Sequence, residues 1–179
     1  MRISKKGLNL YKKRNIMKET IAFDQRGHLQ PYQLIELELA DFQNHFVNDF
    51  PKSETRQKIF GNFVDYIHDF QREIMPTFKM WINGSYVTQK LNPRDIDFVM
   101  FIPYDIYAIH EELIQAKYKT AGAARNFAVD AYTVEIFPEN HRNFVFTQSD
   151  TAYWRSWFST TARNRNNQSF QKGFIEINF

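Results

Sequence analysis

Two aspartates, Asp95 and Asp97, open an apolar run reading DIDFVMF, and the pair Gly84-Ser85 stands upstream with nine residues between Ser85 and Asp95. If 95–102 is a strand, its side chains alternate faces. Both carboxylates then lie on one side, with Ile96, Phe98 and Met100 on the other. Carboxylates two positions apart on a strand are about 7 Å from each other and repel unless a cation lies between them. Mg²⁺ favours carboxylate and phosphate oxygens, and two such ions about 3.5–4 Å apart serve in-line phosphoryl displacement. Gly84 lets a phosphate approach the backbone closely, and Ser85 adds a hydroxyl donor. A helical turn after Ser85 would add its positive end to that anion site. These residue types at this spacing suit a metal-bound nucleoside triphosphate.

Lys90 and Arg94 fall between the Gly-Ser turn and the aspartates, where either can reach a triphosphate. Arg94 has a second reading, an ion pair with Asp95 or Asp97 in the absence of nucleotide. Lys172, Arg163 and Arg165 read as solvated surface, and Tyr132 and Trp154 as core aromatics rather than stacking platforms. Other chemistries lack their parts. The five histidines are scattered without zinc-ligand spacing, and neither a Gly-x-Ser-x-Gly elbow nor a Gly-Lys-Ser/Thr phosphate loop occurs.

The elements that must position these residues follow from periodicity. Phe23–His28 reads as a turn bent at Gly27. Apolar spacing predicts a helix from Pro31 to about Asn48 and a second, capped by Ser53 and ended by Pro76. Strands are expected over 78–83 and 95–102, then a helix from Asp105, acting as cap, to about Lys119. A loop is expected to start at Gly122, followed by a strand over 127–137. The aromatic stretch 140–160 ends as a helix, 163–168 is a loop, and 173–178 is a terminal strand. The expected fold is α/β (α+β), a mixed sheet of about four to five strands flanked by helices, in one domain over 21–179.

Composition narrows the partners. Aromatics make up 17% of the 179 residues, which suits a packed interior. No window holds about 20 uninterrupted apolar residues, so no membrane partner is expected. The absence of cysteine removes disulfides and thiolate metal sites and fits a cytoplasmic protein. Residues 1–20 carry +6 against +3 for the whole chain, so 21–179 are −3. The leader reads as a solvated extension, or as sequence ahead of a start at Met17, and it keeps nucleic acid among the partner classes.

Taken together, GSYVTQKLNPRDIDFV resembles the signature of the polymerase-beta-like nucleotidyltransferase superfamily: strand, Gly-Ser, about ten residues, Asp-x-Asp, apolar strand. The chain also looks like a bacterial family of small nucleotidyltransferase-like proteins, through FDQRGHL, the central motif, YWRSWF and KGFIEI. The resemblance covers about residues 22–179. It implies that Gly84 and Ser85 hold the β- and γ-phosphates and that Asp95 and Asp97 ligate two Mg²⁺ or Mn²⁺ ions. It also calls for a third carboxylate on a neighbouring strand. Asp130, acidic within an apolar strand pattern, is the first choice, and Glu135, on the opposite face, is the rival.

The expected function is transfer of a nucleoside monophosphate from an NTP to a hydroxyl of unknown acceptor: a small molecule, protein or RNA. The alternative is a catalytically degenerate module with a partner protein, of the kind found in toxin–antitoxin or phage-defence systems.

Overall fold

The computed structural model describes residues 21–179; the basic leader lies outside the described residues. A hairpin of β1 (Ala22–Phe23) and β2 (Leu29–Gln30) turns through Gly27, whose φ is 79°. Asp24 stabilises the turn by accepting the N–H groups of Arg26 and His28 at Oδ1. Five further strands form the main sheet: β3 (Leu34–Glu36), β4 (Lys79–Asn83), β5 (Asp97–Pro103), β6 (Asp130–Ile136) and β7 (Phe174–Asn178). Their order is β3-β7-β4-β5-β6, with β4 antiparallel to both neighbours and the outer pairs parallel. The sheet is therefore mixed, as expected.

Helices cover the two faces unequally. On one lie α1 (Leu39–Gln43, continued by a wider turn to Asn48), α2 (Arg56–Glu73), α3 (Tyr104–Leu113, likewise continued to Tyr118) and α4 (Ala121–Phe127). Their apolar sides meet Ile96, Phe98, Met100 and Ile102 of the β5 segment in the large core. The other face carries α5 (Phe144–Phe158) over a smaller core of Trp81, Val99, Phe101, Val134, Phe158 and Phe174.

Four expectations about elements need correction. The helix expected from Pro31 begins only at Leu39, because Leu34–Glu36 pairs in parallel with Phe174–Glu176 as an edge strand. Gly122 does not open a loop. It lies inside α4, where a Cβ would collide with the Ala116 carbonyl, so close helix packing explains the glycine. Asp105 sits in the first turn of α3 and Pro103 takes the cap position, since β5 runs directly into the helix. Finally, β5 starts at Asp97 rather than Asp95. At the start of α2 the cap position is Thr55's, and the expected Ser53 accepts the N–H of Arg56 from two positions ahead of it, at 3.1 Å.

Candidate functional site

Asn83, Asp97 and Asp130 form one row across three adjacent strands, as register partners of one another in β4–β5 and β5–β6. Alternation puts them on the face of Trp81, Val99, Tyr132 and Val134, the thinly covered side. The ladder stops at Asn83–Asp97 because Gly84 turns the chain away, which leaves Asp95 unpaired just ahead of β5. Asp95 is exposed and Ile96 fully buried, so the expected alternation runs past the end of the strand.

Gly84 has φ 78° and ψ −163°, backbone that essentially only glycine adopts. A Cβ there would collide with Asp97 Oδ2, so the carboxylate lies directly against the turn. Buried Asn83 braces it, accepting the Gly84 N–H at 2.7 Å and donating to the Phe158 carbonyl at 2.6 Å. Ser85 opens a single 3₁₀ turn, Ser85–Val87, rather than a longer helix.

The carboxylates disfavour one another's charge. Burial pushes Asp97 up to about 6, with Asp95 and Asp130 adding to the rise and Lys172 opposing it. Asp130 is also raised, first by burial and then by Asp95, against a hydrogen bond of 3.2 Å from the Tyr132 hydroxyl to its Oδ2. Lys172, just ahead of β7, is pulled down to about 8 by burial while Asp97 opposes that shift. Glu135 is raised by burial and by Glu111, and its electrostatic neighbours (Glu111, Lys119, Asp150) lie outside the row. Among the described residues no three acidic or histidine side chains converge into a ready-made metal cage. The donor chemistry of the row still fits a hard divalent cation, whose remaining positions are ordinarily completed by water and phosphate oxygens.

Two clefts meet at this point. One of about 540 Å³ is lined by Arg26, His28, Gly84, Ser85, Lys90 and Lys172. The other, about 620 Å³, is lined by Gly84, Asp97, Trp157, Phe158, Arg163 and Lys172. Gly84 and Lys172 belong to both, so an anion held there faces the acidic row on one side and basic groups on the other. Arg94 is exposed and lines neither cleft. Tyr132 and Trp154 pack on each other at 4.9 Å beside the smaller core, as expected of structural aromatics.

Sequence reasoning passed over three residues. Lys172 read as surface, although its place beside the terminal strand brings it to the sheet end. Trp157 is one of several aromatics in the 140–160 stretch and nothing in its spacing singles it out, yet it is 60% exposed. Arg56 went unremarked and is wholly buried. Its guanidinium donates to the carbonyls of Phe46, Tyr86, Thr88 and Lys90 at 2.7–2.8 Å and stacks over Phe50 at 3.8 Å. Burial lowers it to about 10, so it stays charged at neutral pH. The signal was available: Arg56 precedes Ile59, Phe60 and Phe63 at helical spacing, on the apolar face of α2. It fixes the segment from Tyr86 to Lys90 that follows the Gly-Ser turn. Backbone contacts complete that frame, with the Gln89 N–H donating to Gly27 and the Gly173 N–H to Leu29.

A family profile described as "Family of unknown function (DUF6932)" matches residues 21–178. The chain belongs to this family. No curated protein and no solved structure matches the chain. The DUF6932 match spans the acidic row, the Gly84 turn and both clefts.

Proposed function

We propose that this protein is a metal-dependent nucleotidyltransferase that moves a nucleoside monophosphate from an NTP to a hydroxyl acceptor. The observation that carries the reading is the abutment of Asp97 against the Gly84 turn, in one row with Asp130 and beside Asp95. Phosphate-binding backbone and metal-binding carboxylates then lie at one sheet end. Asp95, Asp97 and Asp130 would hold Mg²⁺ or Mn²⁺, which supplies charge neutralisation at the phosphates. Ser85 and Lys172 orient the triphosphate, and Lys90 lines the same cleft. The acceptor oxygen forms its bond to the α-phosphorus as the bond to the β-phosphate bridge breaks, releasing pyrophosphate. The acceptor proton passes to Asp130 Oδ1, since Oδ2 accepts the Tyr132 hydroxyl. Orientation and preorganised charge supply most of the rate.

One observation favours a second reading, a nucleotide-binding module without transfer activity: Lys172 already supplies a cation next to Asp97. Calorimetry with ATP, GTP, CTP and UTP, with and without Mg²⁺, separates the readings. The enzyme reading expects binding that needs Mg²⁺ and disappears in Asp95→Asn/Asp97→Asn. Binding indifferent to Mg²⁺ favours the module, and no binding to any NTP by folded protein overturns both.

A further inference from the structure

Among the aromatic side chains of α5, Trp154 and Phe158 face the sheet while Tyr153 and Trp157 face outward at 56% and 60% exposure. The two outer rings are nearly parallel, 13° apart with centroids at 6.2 Å. Adjoining exposed apolar rings, unlike single ones, mark surfaces that bind something. Trp157 does not sit in the middle of a flat apolar face. It forms one wall of the 620 Å³ cleft whose other lining includes Asp97, Gly84 and Lys172. The remaining exposed large apolar residues of α5, Val145 and Phe146, lie more than a turn away toward its start. The cleft lining thus combines the indole of Trp157 and the apolar Phe158 and Ala162 with the charged Asp97, Arg163 and Lys172.

We infer that Trp157 is the stacking platform for a planar heteroaromatic ring, a nucleobase, of the ligand whose phosphates lie toward Gly84 and Lys172. This rests on the nucleotide reading above and adds to it where the base sits. Every base has a π-face, so a lone tryptophan wall binds bases with little sequence preference, and discrimination falls to polar groups such as Arg163 that line the same cleft. The α5 helix is tied to the sheet by Phe158 in the small core and by Arg155 over Trp81 at 5.2 Å, so the platform is rigidly mounted.

The test measures binding of the four NTPs, their nucleosides and inorganic tripolyphosphate, all with Mg²⁺, to wild type, Trp157→Phe and Trp157→Ala. Intact folding of each variant is checked by urea unfolding. In wild type, nucleosides and NTPs should quench tryptophan emission. In Trp157→Phe, where Trp81 and Trp154 remain, the quench should be lost. Trp157→Ala should weaken NTP binding about ten-fold and leave tripolyphosphate unchanged. Equal affinities for NTPs and tripolyphosphate, without quenching, would overturn the platform while leaving the nucleotide reading intact. Failure of all phosphate ligands to bind would overturn both. A changed sedimentation coefficient in Trp157→Ala, with NTP affinity unaltered, would overturn the platform in favour of a protein-contact role.

Discussion

The two faces of the central sheet are built to different ends. The face under α1–α4 holds Phe42, Phe46, Phe63, Tyr66, Phe70 and Phe98, all at or near zero exposure, in one continuous aromatic core. Ring contacts run through it from Phe42 to Phe63, Phe98 and Tyr66 at 5.0–6.1 Å. The face under α5 buries six residues in its smaller cluster and ends in a row of polar side chains beside two clefts. Stability is concentrated on one side, which leaves the other free to keep carboxylates in surroundings that disfavour their charge. Strands β4 and β5 belong to both faces, so the large core is what holds the acidic row in place.

That contrast can be broken by mutation. The largest effect is expected on the dense side, where Phe63→Ala should lower the free energy of unfolding by about 3–5 kcal/mol, read from urea titration. A loss below about 1 kcal/mol would mean the aromatic core is not the stabilising side. Gly84→Ala comes next. Its backbone region alone implies about 1–3 kcal/mol, and the collision with Asp97 Oδ2 adds to it, so Mg²⁺-dependent NTP binding should be lost even where the protein still folds.

Asp97 sharpens the comparison through pH. Its folded pKa of about 6 lies above the usual carboxylate value of 3.8, so the folded state binds its proton more tightly than the unfolded one. This contribution is fully present below the unfolded value and is lost as pH rises from about 4 to about 6, on the order of 3 kcal/mol. Asp97→Asn should flatten that part of the stability–pH curve and equal or exceed wild type in stability at pH 7, while abolishing Mg²⁺-dependent binding. An unchanged difference between the two proteins across that window would refute the coupling. The smallest effects are expected from Lys90→Ala and Arg94→Ala, both exposed, with stability within about 0.5 kcal/mol of wild type. Only Lys90 lines a cleft, so only Lys90→Ala should weaken NTP binding; an equal loss in Arg94→Ala would restore the arginine to the site.

Local pattern made part of this protein legible in its sequence. Helical spacing from Ile59 to Ile74 marks α2, and Ser53, two positions ahead of the cap residue Thr55, places its start to within a few residues. Alternation through Ile96, Phe98 and Met100 gives the direction in which Asp95 and Asp97 point, because strand periodicity survives whatever the strand packs against. The short run Leu34–Glu36 was misread as helix because three residues carry little periodicity, and their pairing partner lies about 140 positions away in β7. Likewise, Asp130 had to be named by resemblance, since its alignment with Asp97 is a register between strands that the sequence does not contain.

What the sequence determined by itself is the longer segments, the faces their side chains take and the donor types available for chemistry. These depend on backbone geometry and side-chain period over a few residues. Only the tertiary structure decided that Asp97 lies against Gly84, that Lys172 joins two clefts, that Arg56 holds four carbonyls of distant segments and that Trp157 stays exposed beside the row. Each of these depends on pairing and packing between separate elements, fixed by how the sheet and its two unequal layers assemble rather than by any local preference.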